Sequence, residues 1–224
     1  DRVWAVVKAD AYGHGLENVI DTLSGADALA IIDIEDVIRA REAGWDKRIV
    51  LLQGFFSSED LKILEKYGAE PVVHNYVHLQ RLEDCSSLQS LRVHIGINSG
   101  MNRFGFLPEE VNEVEKRLSA IDGIEVEGIV THFANACPEY DYRGLVSVKD
   151  QIDRLGSLAH RTKGACFANS AATIWLPECG GDSVRVGISL YGVSPDPSVS
   201  GCSLGLKPAM SLKSEVIAIQ NIQV

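Results

Sequence analysis

The sequence predicts an α/β fold, namely a (β/α)8 TIM-type barrel followed by a tail of different character. Eight short apolar segments alternate with stretches in which apolar residues recur every three or four positions, the spacing of one helix face. In these segments the odd and the even positions are both apolar, so both faces of each strand would be buried. This is typical of parallel strands covered by helices. Eight strand and helix units fit a closed barrel better than an open doubly wound sheet.

The predicted strands are short and spread along the chain. They cover residues 3–7, 28–32, 49–52, 71–73, 91–97, 126–131, 165–168 and 183–186.

The intervals between the strands carry helix signals. Leu16, Val19, Ile20 and Leu23 lie at i, i+3, i+4 and i+7, so they form one face of a helix. Later helices are predicted from the apolar positions Ile34, Val37, Ile38, Leu61, Leu64, Leu79, Leu82, Val111, Val114, Leu118, Ile121, Val148, Ile152, Leu155 and Leu158, and from residues 171–175.

Several helix ends are predicted from single residues. Ser58 and Asn75 are predicted N-caps, because their side-chain oxygens can accept from free backbone N–H groups. Gly44 is the predicted residue after a helix C-terminus, and Pro108 lies in a first turn. A polar loop over residues 135–143 separates strand six from its helix.

The tail has an extended pattern. Residues 208–224 are rich in β-branched side chains and are followed by no helix signal. We therefore expect residues 1–200 to form the barrel, and residues 201–224 to form a linker and the first strand of a C-terminal β domain that this sequence lacks.

Composition favours small-molecule chemistry. The chain has 224 residues and a net charge of −10, with no long basic run, which argues against a nucleic-acid or anionic membrane surface. Five widely spaced cysteines without a C-x-x-C pair suggest reduced thiols and no metal site. No apolar stretch is long enough for a membrane span. We expect a cytoplasmic protein, with a removed signal left open because the chain begins at Asp1.

Lys8 is the main catalytic candidate. It follows the first predicted strand and so leaves the sheet at the carboxyl end, where α/β enzymes place their ligands. An amine held among apolar neighbours loses solvation, which increases the neutral fraction that attacks carbonyl groups. This is the chemistry of a Schiff-base lysine. The alternative is a strand-end lysine that extends to water.

Other polar residues follow the remaining strands and would share this end of a barrel. They are Tyr12 after strand one, Asn98 and Arg103 after strand five, His132 after strand six, Asn169 and Ser170 after strand seven, and Arg185, Gly187 and Ile188 at strand eight. The loops after strands seven and eight are the usual phosphate site of such barrels. Pyridoxal phosphate is a ligand that suits both a lysine amine and a phosphate site.

Each of these residues also has a plain structural interpretation. His132 alone is more often a hydrogen-bonded core histidine than a residue that faces a cofactor. Arg103 fits a surface position, and Tyr12 fits a helix cap. Arg185 lies inside an apolar strand and needs a buried acceptor.

The same segments resemble those of alanine racemase, a family of fold type III pyridoxal-phosphate enzymes. The matching segments are AVVKADAYGHG at 5–15, NSGMNRFG at 98–105, THFA at 131–134, ANSAA at 168–172 and VRVGISLYGVSP at 184–195. The first and last segments are highly specific, and the order and spacing of all five agree with the family. The resemblance extends over the whole chain.

The resemblance implies a role for each residue. Lys8 would hold pyridoxal 5′-phosphate as a Schiff base and act as one of two acid–base groups at the substrate α-carbon. Arg103 would bond the phenolic oxygen of the cofactor, His132 would lie against the pyridine ring, and Arg185 would donate to the pyridine nitrogen. The phosphate would be held by Tyr12, Ser170 and the backbone of Gly187 and Ile188, with Asn169 among the cofactor-binding residues.

Three departures from the family are visible. Asp10 stands where the family usually has Asn, and Gly96 stands where it usually has a lysine that supports the arginine equivalent to Arg103. The second catalytic base of the family is a tyrosine from the β domain of the partner subunit in a homodimer, and that domain is absent from this sequence. The family also carries about thirty residues before the lysine strand.

These observations predict racemisation of L- and D-alanine, or of a broader set of small amino acids, by two-base α-proton transfer. The resemblance implies a small amino-acid substrate and a homodimer, with no nucleic-acid or membrane partner. We expect the 224-residue chain alone to be inactive or nearly so. The alternatives are a single-domain cofactor-binding protein without turnover and a barrel-type pyridoxal-phosphate decarboxylase.

Overall fold

Eight parallel strands close into a barrel in the part of the chain that the computed structural model describes, residues 2–137, 146–160, 164–179 and 181–222. Each strand pairs with the next in sequence, and the eighth returns to the first with Trp4 opposite Arg185. The predicted (β/α)8 barrel is confirmed. The strands are β1 (Arg2–Val6), β2 (Ala28–Ile31), β3 (Arg48–Leu51), β4 (Ala69–Val73), β5 (Leu91–Ile97), β6 (Ile124–Thr131), β7 (Ala165–Cys166) and β8 (Ser183–Val186).

Helices follow the strands and surround the barrel. They are α1 (Lys8–Gly13), a single turn that is left-handed at residues 9–12, and then α2 (Leu16–Val19), α3 (Ile34–Glu42), α4 (Ser58–Tyr67), α5 (Tyr76–Asp84), α6 (Val111–Ser119), α7 (Val148–Leu155) and α8 (Ser170–Trp175). Short 3₁₀ turns cover Asp21–Leu23, Pro108–Glu110, Gly156–His160, Pro177–Cys179, Ile188–Tyr191 and Gly201–Leu204. None of the described helices is both long and apolar enough to cross a membrane.

The strands are buried on both faces, as their composition predicts. On β1, Trp4 and Val6 point into the barrel, where they pack with Val50 and Val72 from other strands. The alternate residue Ala5 packs against the helices in a larger outer cluster. Closing the sheet therefore creates two apolar layers and leaves the strand ends as the place for polar side chains.

Most predicted elements agree with the structure, and the differences lie at their ends. The prediction of Ser58 as an N-cap is wrong, because Ser57 accepts from the Asp60 backbone N–H and Asp60 bonds back in a capping box. Asn75 caps α5 as predicted. Strand seven is shorter than predicted, and most of the polar loop over 135–143 lies outside the described residues.

The tail packs little against the barrel. Residues 205–222 have no helix or strand in the described chain, and Leu212 and Ile217 are each 99% exposed. The assignment of residues 201–224 to a linker and a first strand of another domain stays a prediction.

A buried ionic network closes the opposite end of the barrel from the strand carboxyl ends. Glu70 on β4 is 1% exposed, accepts hydrogen bonds from Arg48 at 2.5 Å and His94 at 3.0 Å, and forms an ion pair with Arg92 at 3.0 Å. Burial raises the pKa of Glu70, but the hydrogen bonds from His94 and Arg48 outweigh burial and hold the pKa below its usual value. The network stabilises the floor of the barrel because each buried charge has a partner.

We predict that Glu70→Gln lowers the free energy of unfolding by roughly 3 kcal/mol, because it removes the buried charge that pairs with the two arginines of this network. Among the described residues, both arginines are then left with the less buried Glu127 alone. Chemical denaturation followed by circular dichroism measures this change. Asp153→Asn is the matched control, since Asp153 pairs with Lys149 on the open surface of α7, and it should leave the midpoint unchanged. Equal effects of the two substitutions would contradict the structural role of Glu70.

Candidate active site

A cavity of about 460 Å³ opens at the carboxyl ends of the strands. Its lining includes every residue that the sequence predicts for the cofactor site: Lys8, Tyr12, Arg103, His132, Asn169, Ser170, Arg185, Gly187 and Ile188. Asn98 lies apart from it, in an adjoining recess of about 80 Å³. Three cationic side chains and no Asp or Glu from the described residues line the main cavity, so its electrostatics favour an anionic ligand.

Lys8 is presented by an unusual backbone turn. Val7 continues the sheet by donating to the carbonyl of Ala30 at 3.0 Å, and the partly exposed Lys8 follows. Residues 9–12 then have φ angles of 52 to 54°, a left-handed turn built from residues other than glycine. Such a conformation costs about 1–2 kcal/mol per residue. Strain of this kind persists only where surrounding contacts enforce it, and it is common at functional sites.

Asp10 and Arg39 hold this turn in place. Asp10 Oδ1 accepts from the backbone N–H of Leu16 at 3.0 Å and from Arg39 Nη2 at 2.8 Å. Arg39 also donates to Glu17 and to Asp36. The hydrogen bond from Arg39 holds the pKa of the Asp10 carboxyl below its usual range. The segment that carries Lys8 is thereby tied to α3.

Arg185 lies inside the barrel, where it donates to the buried acceptors that its position in an apolar strand requires. It is 4% exposed, and its Nη1 donates to the carbonyl of Cys166 at 3.1 Å and to its sulfur at 3.2 Å. Its Nη2 donates to the Thr131 carbonyl at 2.7 Å and to His132 Nδ1 at 3.2 Å. No carboxylate in the described chain neutralises Arg185, so its positive charge acts on the cavity.

His132 is both a buried, hydrogen-bonded histidine and a lining residue of the cavity. A guanidinium can only donate, so Nδ1 of His132 accepts from Arg185 and carries no proton. Burial, together with the positive charges of Arg185, Arg103 and Lys8, lowers the pKa of His132 to about 3. The ring is therefore neutral near pH 7.

Ser170, Gly187 and Tyr12 form a compact cradle at the ends of β7 and β8. Ser170 Oγ accepts from the backbone N–H of Gly187 at 2.9 Å and lies 3.4 Å from the N–H of Ser189. A Cβ at position 187 would lie 2.8 Å from the Tyr12 hydroxyl, so glycine leaves the space open. The Ser189 hydroxyl is buried and has no partner among the described residues. Backbone N–H groups, hydroxyls and open space suit a phosphate group.

Aromatic stacking fixes Tyr12, which sequence reasoning did not foresee. Tyr12 stacks on Tyr191 at 4.7 Å between ring centroids, and Tyr191 stacks on His14 at the same distance. The Tyr191 hydroxyl donates to the carbonyl of Val6 at the end of β1. Burial raises the pKa of Tyr191, so its phenol stays protonated. The stack joins the turn after Lys8 to the loop after β8.

The loop after β6 is held by two side-chain amides. Asn169 donates to the carbonyl of Phe133 at 2.9 Å and caps α8 through the backbone N–H of Ala172. Gln151, fully buried on α7, accepts from the N–H of Ala134 at 2.9 Å and donates to its carbonyl at 2.7 Å. The sequence analysis missed Gln151. A signal existed, because Gln151 is a polar residue on the predicted apolar face of its helix.

Arg103 is held much less firmly than Arg185. It has no hydrogen bond or ion pair with a described residue, and its guanidinium lies 5.3 Å from the ring centroid of Phe104. Its loop is more firmly held: Asn98 Oδ1 accepts from the backbone N–H groups of Gly100 and Asn102. Arg103 thus has an exposed guanidinium on an ordered loop.

The fold and this site together define a class of protein: a (β/α)8 barrel whose mouth combines a strand-end lysine, cationic walls and an anion cradle. Residues 1–195 match the family model described as "Alanine racemase, N-terminal domain", and the chain belongs to this family.

Curated relatives and solved structures agree with that assignment. The chain is 40% identical over 223 residues to "Alanine racemase" of Burkholderia mallei (strain SAVP1), which covers 99% of this chain and 61% of the relative. It is 39% identical to "Alanine racemase, catabolic" of Klebsiella aerogenes, with the same coverage. The biosynthetic alanine racemase of Pseudomonas aeruginosa superposes with a TM-score of 0.84 at 30% identity, over 93% of this chain and 57% of that one. The chain thus spans about three fifths of these relatives.

We predict that stability falls as the pH drops from about 6.5 toward 4. Burial lowers the pKa of His78 to about 4 and is the main cause that lowers the pKa of His132 to about 3, each from 6.5. As the pH falls, the unfolded chain therefore binds protons at these histidines before the folded chain does. The stability that the two neutral histidines contribute is complete above pH 6.5 and is lost as the pH falls toward their folded-state pKa values. Urea midpoints measured from pH 7.5 to 5 test this.

The exposed His160 supplies the control, and His160→Gln should leave the pH profile of the urea midpoint unchanged. A flat profile for the unsubstituted protein between pH 7 and 5 would contradict the burial of neutral histidines.

Proposed function

We propose that this chain is the cofactor-binding barrel of a pyridoxal-phosphate-dependent racemase that interconverts L- and D-alanine. The observation that carries the proposal is the cavity in which Lys8, two arginines and an anion cradle meet, with no carboxylate among the described lining residues. Membership of the alanine racemase family supports the same conclusion.

The cavity suits pyridoxal phosphate on physical grounds. Its lining offers an amine for an aldehyde and positive charge for a phosphate. The space beside Gly187, which a Cβ would fill, and the nearby Ser189 hydroxyl, which has no partner among the described residues, support a phosphate at this end. We propose that Tyr12, Ser170 and the backbone of Gly187 and Ile188 hold the phosphate. When bound, pyridoxal phosphate supplies an electron sink for the negative charge that α-proton removal leaves on the substrate.

Arg185 would face the pyridine nitrogen. Its two Nη groups already meet the Cys166 carbonyl and sulfur, the Thr131 carbonyl and His132, so Nε–H is the donor left for a ligand. A guanidinium has N–H donors and no acceptor, so an arginine in this place would donate a hydrogen bond to the ring nitrogen. An unprotonated pyridine ring withdraws electrons less strongly, which limits side reactions and favours return of the proton to the substrate α-carbon.

His132 would lie against the ring, with Asn169 holding the neighbouring loop. A neutral imidazole fits this role because it adds a flat surface without a further positive charge beside Arg185. Arg103 would bond the phenolic oxygen, since its guanidinium has no described hydrogen-bond partner of its own.

Lys8 would move the proton on one face of the substrate α-carbon. Its backbone lies at the end of a strand fixed by the sheet and by the left-handed turn, so the point from which the amine extends is set by the barrel rather than by a mobile loop. A lysine amine accepts a proton when neutral and returns it when charged, which is the work of a general base and then a general acid.

Racemisation requires a second acid–base group on the opposite face. Among the described lining residues, Tyr12 belongs to the phosphate end and His132 is held neutral by Arg185, so neither serves convincingly. We propose a tyrosine from a further β domain of a partner subunit, in a homodimer. The nearly complete exposure of Leu212 and Ile217 in the tail supports such a domain after the barrel, with residues 201–224 as its linker and first strand.

Alanine is the proposed substrate, and the alternative is a broader range of small amino acids. Gly96 puts no side chain near Arg103, so the family's usual lysine support is absent. The range is tested by comparing kcat/KM for alanine and serine.

We predict that Lys8 is the attachment point of pyridoxal phosphate. Reduction of the loaded protein with borohydride, followed by peptide mapping, should label Lys8, and Lys8→Arg should abolish the label because a guanidinium does not condense with the aldehyde. Lys213→Arg is the control in the exposed tail and should retain it. Labelling of a different lysine would refute the assignment.

We predict that the 224-residue chain binds cofactor but racemises alanine about 10² to 10⁴ times more slowly than the full-length protein, because one acid–base group is missing. Turnover is measured by circular dichroism of alanine, alongside α-hydrogen exchange in deuterium oxide. Turnover equal to the full-length protein would show that both acid–base groups lie within the barrel, contrary to the proposal.

A further inference from the structure

Four aromatic rings stand in sequence between the core and Arg103. Phe55 stacks on His78 at 4.6 Å between centroids, His78 lies 4.3 Å from His74, and His74 lies 4.7 Å from Phe104. The guanidinium of Arg103 lies over Phe104. We call Phe55, His78, His74 and Phe104 the ring column. Its inner end is fully buried, whereas Phe104 is 45% exposed and lines the recess that adjoins the main cavity.

Two glycines leave room for the imidazoles of the ring column. A Cβ at Gly54 would lie 2.4 Å from His78 Cε1, and a Cβ at Gly96 would lie 2.9 Å from His74 Cβ. Contacts this short do not occur, so a side chain at either position would displace a histidine. His74 therefore occupies the space that a side chain at position 96 would need.

His74 is fixed in orientation and in tautomer. Its Nε2 lies 2.7 Å from the carbonyl of Gln53, which can only accept, so Nε2 carries the proton. Its Nδ1 then accepts from the side-chain amide of Asn75 at 3.2 Å. Both ring nitrogens are used, and the ring stands between the loops after β3 and β5.

The Arg103 loop rests against His74 through its backbone as well. Gly105 donates to the His74 carbonyl at 3.3 Å, and Phe106 donates to the carbonyl of Gly96 at 2.9 Å. Because Arg103 has no hydrogen bond or ion pair with a described residue, the face of Phe104 is the support that its guanidinium has. A cation over an aromatic face is attracted by the ring quadrupole.

We propose that the ring column sets the position of Arg103, with His74 and Phe104 as positioning residues for the contact between Arg103 and the cofactor. The inference rests on the proposed function, because it assigns the support of a residue in that site. His74 transmits the fixed geometry of the barrel wall to Phe104, and Phe104 presents a flat surface to the guanidinium.

The test uses the full-length protein and its affinity for pyridoxal phosphate, measured by fluorescence titration of the cofactor-free form. Phe104→Ala should weaken binding roughly 2- to 5-fold, the value of a cation–π contact at an exposed site, and Phe104→Tyr should restore it. Since Phe104 is half exposed, its replacement should leave the thermal midpoint nearly unchanged. Phe56→Ala is the matched control, because Phe56 is 69% exposed and lies outside the ring column.

A double-mutant cycle separates positioning from general structure. In an Arg103→Ala background, Phe104→Ala should have no further effect on cofactor affinity, because its target is gone. His74→Gln keeps a donor for the Gln53 carbonyl but removes the ring, and it should lower cofactor affinity as much as Phe104→Ala does. The variant with both substitutions should lose no more affinity than either single variant. Steady-state kinetics of the same variants should show the loss in kcat/KM.

The outcomes distinguish this inference from the proposed function. If Arg103→Ala weakens binding while Phe104→Ala and His74→Gln match the unsubstituted protein, the ring column does not position Arg103. Additive losses in the double variants would also overturn the inference, since they would show a separate structural effect. If Arg103→Ala itself changes nothing, the role of Arg103 in the proposed site fails, and the inference fails with it.

Discussion

Closure of the sheet between β8 and β1 is the constraint on which the site depends. The parallel pairing of Trp4 with Arg185 brings the first and last strands into register. Lys8 and Gly187 then leave adjacent strands at the same end, although 179 positions separate them in the sequence. An open sheet with the same strand order would place the first and last strands at opposite edges, and the lysine and the phosphate cradle would not share a cavity.

Once the strand ends are gathered, unbalanced positive charge gives the cavity its chemistry. Among the described residues, Arg185 is stabilised by carbonyl dipoles and by a neutral imidazole rather than by a carboxylate, so both of its Nη groups have partners while its charge remains. The same charge helps to keep His132 unprotonated. Negative charge is concentrated elsewhere: Glu70 compensates Arg48 and Arg92 at the other end of the barrel.

The two substitutions that depart from the family have structural explanations within this chain. Asp10 faces Arg39, so a carboxylate at this position gains an ion pair while it still accepts from the Leu16 N–H. Gly96 faces His74, whose Cβ occupies the direction in which a side chain would extend. In both cases the residue that differs from the family fits its neighbour in space: Asp10 fits Arg39, and Gly96 fits His74. The sequence position alone does not reveal that neighbour.

The sequence by itself determined the order of strands and helices, because alternating burial has a periodicity that is visible without coordinates. It also identified nine of the residues that line the cavity, because they lie at or after strand ends and their segments resemble those of the family. Their exact partners were decided by tertiary structure. The left-handed turn after Lys8, the amide of Gln151 on Ala134, the stack under Tyr12 and the ring column depend on contacts between distant segments. Helix ends such as Ser57 also required coordinates, since adjacent serines offer equal local signals and only the folded turn selects one.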